Sequence, residues 1–299
     1  MKKVASRIAT AIALLLVLAE LSLRAIGMVD FPLYDADARI GYIPKASQEG
    51  SFLRRNTWVF NELSMGTARP FDLSTAAGDV LLVGDSIVLG GNTLPQDSKL
   101  GPLMEVEQGR RIWPIAAGSW ALRNELRYLL DHPDAARKVG HLVLVLNSAD
   151  FGEASSWACE LTHPRQRPTL ALLYVARKYV HDWAPCGAAP QDLMVSPGDW
   201  RAELRQLVDE GIVRPANTTV VLYPTRKETG EPALMAQALE SRMADLEAVM
   251  GGDVGFISVG RDQRWTTDLY RDDIHPSLHG YAVLAKVIGT GLQRLGAFP

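Results

Sequence analysis

The run Val80-Leu81-Leu82-Val83, closing on Gly84-Asp85-Ser86, constrains this chain more than any other stretch. Four aliphatic residues bounded by turn formers read as a strand buried on both faces, the kind found in a parallel sheet. Parallel strands need crossover connections, so helices must cover the sheet. Gly84 allows a sharp turn, and Asp85-Ser86 then opens the next segment at the carboxyl end of the strand. That edge is where open α/β sheets bind ligands. A serine there is held on a rigid element with its hydroxyl free to meet a substrate. The same two residues also suit a simple helix cap.

The remaining chain repeats the rhythm. Further strands are expected at 111–116 (despite Pro114), 141–146, 218–223 and 255–259, and helices at 120–130, 233–250 and 277–295. A mixed, partly helical pattern runs over 94–106. Five strands alternating with helices imply right-handed crossovers and a three-layer α/β/α sandwich on a mainly parallel five-stranded sheet. Segment 29–78 is irregular, with single aromatic residues between Gly, Pro and Asn, and reads as short strands or turns packed beside the main domain. Segment 151–215 interrupts the rhythm as an insertion. It holds Trp157, Trp183 and Trp200, both cysteines and a helical stretch at 169–183. Insertions at this edge of a sheet shape specificity. The tryptophans suit either sugar stacking or a small local core, and the core reading is the stronger.

At 299 residues the chain has room for one such domain over 79–299. A net charge of −3 and scattered Lys and Arg residues give no nucleic-acid surface. The first 28 residues form a separate signal. Lys2, Lys3 and Arg7 precede an apolar run from Ile8 to Leu23, broken by Thr10, Glu20 and Ser22. Positive charge ahead of such a run holds that end in the cytoplasm and sends the rest across. The expectation is a retained single-pass anchor in a bacterial inner membrane, with the main domain in the periplasm. The competing reading is a signal peptide cut after 17–19, leaving a secreted or periplasmic protein. Cys159 and Cys186 are the only cysteines, and export permits a disulfide between them; two separate buried thiols are the alternative.

A second motif, Asp272-Asp273-Ile274-His275-Pro276-Ser277, precedes the last helix. A serine nucleophile needs a base, and the base needs a carboxylate that fixes its tautomer. One loop can present both Asp272 and His275. Together, Gly-Asp-Ser after an early strand and Asp-x-x-His before the last helix resemble the GDSL/SGNH hydrolase family over about residues 79–295. The resemblance implies that Ser86 is the nucleophile, His275 the base and Asp272 its partner. The oxyanion would then be held by the Ser86 and Gly118 N–H groups and the Asn147 amide.

The chain departs from the family at Asn147-Ser148-Ala149-Asp150, where Gly-x-Asn-Asp is usual, and at Ala116, where Asn is frequent. Asn92 and Asn124 are spare amides expected to face solvent or cap helices. Asp273 is expected to be solvated, and His279 is not expected to join His275 at a metal. His132, His141, His163 and His181 read as surface or packing residues. The function implied is an exported serine esterase acting on O-acyl, chiefly acetyl, esters of a cell-envelope or extracellular polysaccharide, with no cofactor. Partners would be an acylated carbohydrate, the membrane and polysaccharide machinery. An O-acetyltransferase, or an inactive glycan-binding or assembly protein on the same fold, are the alternatives.

Overall fold

The computed structural model describes residues 2–180 and 186–298. Its first element, α1 (Lys2–Ala25), is long and apolar enough to cross a membrane, and none of its residues is fully buried. Two antiparallel ribbons follow, β1 (Tyr34–Asp37) with β2 (Gly41–Pro44) and β3 (Gln48–Phe52) with β4 (Asn56–Phe60). The main domain begins with β5 (Val80–Gly84), α2 (Ser86–Leu89), α3 (Leu100–Gln108) and β6 (Ile112–Ala116). It continues through α4 (Leu122–Asp131), α5 (Pro133–Lys138) and β7 (His141–Leu146). The insertion contributes α6 (Ala171–Val175) and α7 (Trp200–Asp209) before β8 (Thr218–Leu222). Then come α8 (Arg226–Gly230), α9 (Pro232–Met235), α10 (Arg242–Met250), β9 (Gly255–Ser258) and α11 (Leu278–Arg294).

The five main strands form one parallel sheet in the order β6-β5-β7-β8-β9. Alternating side chains divide between two cores, as the twofold pleat requires. Leu81 and Val83 enter the core shared with α4, α7 and α10, whereas Val80 and Leu82 enter the one shared with α3 and α11. This is the three-layer α/β/α sandwich expected. Pro114 is tolerated because β6 is the edge strand, and its carbonyl accepts the Gly66 N–H from the segment that covers this edge. At the other end of β5, Gly84 is required. A Cβ there would lie 2.6 Å from Val88 Cγ2, so α2 could not pack this closely on the strand.

Two expected helices differ. The segment 233–250 is not one helix: a π-helical turn, Ala236–Glu240, separates α9 from α10. The extra residue keeps Leu239 buried and turns Glu240 toward Ser258 and Arg261, whose side chains both donate to it. The helical stretch in the insertion starts at Ala171 and continues as a π-helical turn over Ala176–Val180. Its expected end, including His181 and Trp183, lies outside the described residues. Trp157 and Trp200 are both buried in the main core, and Trp200 meets Phe151 edge-on. Neither presents a face to a sugar. Cys159 and Cys186 form a disulfide that closes the insertion on itself.

Candidate active site

The register of the sheet brings three loops to one edge. Gly84 pairs with Ala116 on one side and Val145 on the other, so the residues that follow these strands emerge side by side. Ser86 starts α2, and Asp85 caps it by accepting the Ile87 N–H through Oδ1. Both the capping and the nucleophile readings of this dipeptide therefore fit, with Asp85 taking the first and Ser86 left for the second.

The loop carrying Asp272 and His275 is held from several sides. The Arg271 N–H donates to the His275 carbonyl, and the Ser277 N–H to the Leu269 carbonyl. Tyr223 donates its hydroxyl to the Ile274 carbonyl at 2.6 Å, and the Arg226 N–H donates to the Asp273 carbonyl. Ser277 then caps α11 by accepting the Gly280 N–H. The turn is tightened from within, because Asp272 Oδ1 accepts the N–H groups of Ile274 and His275.

This arrangement joins Ser86, His275 and Asp272 in one chain. His275 Nε2 lies 2.9 Å from Ser86 Oγ, and its Nδ1 lies 3.0 Å from both Asp272 oxygens. With Nδ1–H donating to the carboxylate, Nε2 is left to accept the serine proton. Partial burial alone would raise the Asp272 pKa. The His275 and Ile274 N–H groups and the His275 ring outweigh it and hold the carboxyl at about 2. Asp273, its neighbour, points to solvent. The relay is accessible, with the His275 side chain 26% and Asp272 48% exposed.

The three residues expected to hold an oxyanion are differently placed. Gly118 sits beyond β6, its carbonyl accepting the Tyr42 hydroxyl at 2.8 Å and approached by His163 Nε2 at 3.1 Å. Its N–H has no protein acceptor among the described residues. A Cβ on Gly118 would meet nothing nearer than 3.9 Å, so close approach does not require the glycine there. Asn147 lies at the end of β7, 2% exposed, and one of its amide hydrogens goes to Asp85 Oδ2 at 3.1 Å. Its Oδ1 accepts the Ala149 N–H, and its own N–H donates to Asp150. Asn147 is thus a fixed, buried link to Asp85, with only one amide hydrogen left for any other acceptor.

Of the two roles expected for Asn124, facing solvent or capping a helix, the structure shows the second. Asn124 is wholly buried, caps α4 by accepting the Ala121 N–H, and donates to the Ile40 and Ser155 carbonyls. His163 is more than a packing residue, because it stacks on Tyr42 and fixes the Gly118 peptide.

Sequence reasoning missed two groups. Arg271, just before Asp272, places Nε 3.4 Å from Asp272 Oδ2 and donates to Thr93 Oγ1, bringing a cation to the rim. Its position beside the motif was the available signal. The second group is a buried set of carboxyls behind Ser86: Asp85, Asp150 and Glu125. Burial pushes Asp85 up to about 6. It pushes Asp150 and Glu125 well above the carboxylate range, with the Asp85 charge adding to both shifts. Neither oxygen of Glu125 has a hydrogen-bond partner. No local pattern marks this cluster, because its members come from three separate segments.

No family model matches the chain, and no curated protein matches it. Among solved structures it is similar to a member of the lipolytic protein G-D-S-L family from Veillonella parvula DSM 2008, at 12% identity over 73% of this chain and 100% of that one, with a TM-score of 0.43. It is similar to the psychrotrophic esterase EstA from Pseudoalteromonas sp., at 12% identity over 73% and 97% of the two chains and a TM-score of 0.43. A family two carbohydrate esterase from Clostridium thermocellum is matched at 13% identity over 78% and 68%, with a TM-score of 0.43. These likenesses are distant, and the reading of the site rests on the geometry of this chain.

Proposed function

We propose that this protein is an exported serine esterase of the SGNH type that removes O-acyl groups, acetyl foremost, from an envelope or extracellular polysaccharide. The observation that carries the reading is the Ser86–His275–Asp272 relay at the carboxyl edge of the sheet. In the proposed cycle Ser86 Oγ attacks the ester carbonyl while its proton passes to His275 Nε2. Asp272 keeps the imidazole in the required tautomer and stabilises the imidazolium. The Gly118 N–H, which has no protein acceptor among the described residues, and the Ser86 N–H and second amide hydrogen of Asn147 would meet the oxyanion. Collapse of the tetrahedral intermediate expels the sugar oxygen, which takes the proton from His275. Water then resolves the acyl-enzyme by the same steps in reverse order.

Support for a large substrate comes from the exposure of the relay, which lets an ester borne on a polymer reach Ser86 without being enclosed. Support for export comes from Lys2, Lys3 and Arg7 in the first turns of α1, ahead of its apolar run, and from the disulfide in the insertion.

The test is intact mass of the full-length chain in detergent after treatment with a fluorophosphonate. One adduct on the wild type, absent from Ser86→Ala and His275→Ala, is the expected result. A folded wild type that takes no adduct would overturn the proposal. Acetate release from acetylated polysaccharide, with and without an added sugar acceptor, then separates hydrolysis from transfer.

A further inference from the structure

Helix α6 and the π-helical turn after it carry an apolar face that the body of the protein leaves uncovered. Leu170 is 56% exposed, Leu173 47% and Val180 79%. Leu170 and Leu173 stand three residues apart, so they share one side of the turn. Beside them runs α1. Leu16, Val17 and Leu21 of α1 face Leu170, Leu172 and Leu173 across a groove of 460 Å³.

The join between the two helices is polar and specific. The Glu20 carboxylate accepts the N–H groups of Ala171 at 2.9 Å and Leu172 at 2.8 Å, the first amides of α6. Arg24 donates to Glu20 at 2.7 Å and to the carbonyls of Pro168 and Thr169. Leu23 packs with Phe31, Ala171 and Tyr174. The last turns of α1 are therefore built into the insertion, and α6 is carried alongside the apolar length of α1. An α-helix entering hydrocarbon leaves its first N–H groups unsatisfied unless a partner is brought to them. Glu20 brings that partner, and Arg24 balances its charge. At about 1.5 Å per residue α1 spans roughly 36 Å, enough for a hydrocarbon layer of about 30 Å with its final turns at the outer interface.

We propose that residues 170–180 form a second membrane element. Helix α6 and its π-helical turn dip into the outer leaflet beside α1, and the groove between them takes an acyl chain of a bilayer phospholipid. This rests on the reading of α1 as a retained anchor. The groove opens on the uncovered length of α1, and its wall is aliphatic apart from Glu20, so lipid continuous with that around α1 is the occupant its chemistry fits.

The consequence reaches the candidate active site. Arg177 and Lys178, on the same short turn, line a second cavity of 480 Å³ with Ser119, Thr162 and His163. His163 in turn holds the Gly118 carbonyl. One segment thus borders lipid and a basic cavity next to the catalytic edge, which sets that edge close to the membrane surface.

The experiment uses the full-length chain in nanodiscs of phosphatidylethanolamine and phosphatidylglycerol, doped with a phospholipid carrying a diazirine in mid-chain. After irradiation, labelled peptides are mapped by mass spectrometry. Adducts are expected on α1 and on the peptide containing Leu170 and Leu173, with none on α3, whose Val106 is 85% exposed. Leu173→Glu should lower labelling of its own peptide at least about fivefold, with fluorophosphonate labelling of Ser86 in detergent unchanged. Label on α1 without label on 170–180, or a crosslink from Leu173 to a second copy in place of lipid, would overturn this inference and leave the anchor standing. A mature chain that lacks α1, or an α1 that takes no label, would overturn both.

Discussion

Asp272→Asn is the substitution that most directly tests the relay. The replacement keeps Oδ1, which accepts the N–H groups of Ile274 and His275, so the turn should survive. What changes is the group facing His275 Nδ1 at 3.0 Å. An amide hydrogen there donates to Nδ1 and drives the ring proton to Nε2, the atom that must accept the proton of Ser86. In serine hydrolases a wrong tautomer of this kind lowers kcat by about 10⁴, or roughly 5.5 kcal/mol of transition-state stabilisation. The effect on stability should be far smaller. Asp272 is held at about 2, below its ordinary 3.8, so its contribution is present above 3.8 and lost as pH falls toward 2. With the side chain 48% exposed, solvent screening reduces that contribution to about 1 kcal/mol or less at pH 7. The assay is kcat/KM on p-nitrophenyl acetate across pH, with thermal melting alongside and Asp273→Asn as the control expected to keep full activity. A folded Asp272→Asn enzyme within about tenfold of the wild type would refute the assigned orientation of His275.

Glu125→Gln should be silent near pH 5 and stabilising at alkaline pH. Burial raises the Glu125 pKa well above 4.5, so the folded state retains a proton that the unfolded state loses, and stability falls as pH rises through that window. Gln cannot ionise and escapes a fall of about 1.4 kcal/mol per pH unit; urea titrations at pH 5, 7 and 9 read the difference, and an equal loss at every pH would contradict it. Replacing Cys159 and Cys186 together by Ser should lower the unfolding free energy by about 3 kcal/mol, since the bridge closes a loop of 27 residues. Denaturation of the variant beside the reduced wild type checks this, and identical midpoints for oxidised wild type and variant would refute it.

The parallel sheet was legible because strands buried on both faces write continuous aliphatic runs, as at 80–83 and 141–146. The relay was legible because a four-residue turn places Asp272 and His275 together whatever surrounds it. The fate of Asn124 and His163 was not. Asn124 is fixed by Ile40 and Ser155, and His163 by Tyr42 and Gly118, partners that lie far away in sequence and become neighbours only when the ribbon and the insertion close over the sheet. The break between α9 and α10 was hidden for a similar reason. Residues 233–250 have good helical patterning, and the π-helical turn answers to Glu240 meeting Ser258 and Arg261.

The buried carboxyls behind Ser86 bear on how Asn147 is held. Burial raises the pKa of Asp85, Glu125 and Asp150 alike, and the Asp85 charge adds to the rise of the other two. Burial pushes Asp85 up to about 6, opposed by the Ile87 N–H and the nearby His275. Asp85 Oδ2 accepts one amide hydrogen of Asn147, the residue just beyond β7. A negative charge on Asp85 would also favour the positive imidazolium that proton transfer from Ser86 would create. Asn147 is thus oriented from behind by Asp85, which accepts from its amide, and by the Ala149 N–H, which donates to its Oδ1, and no local motif describes either contact.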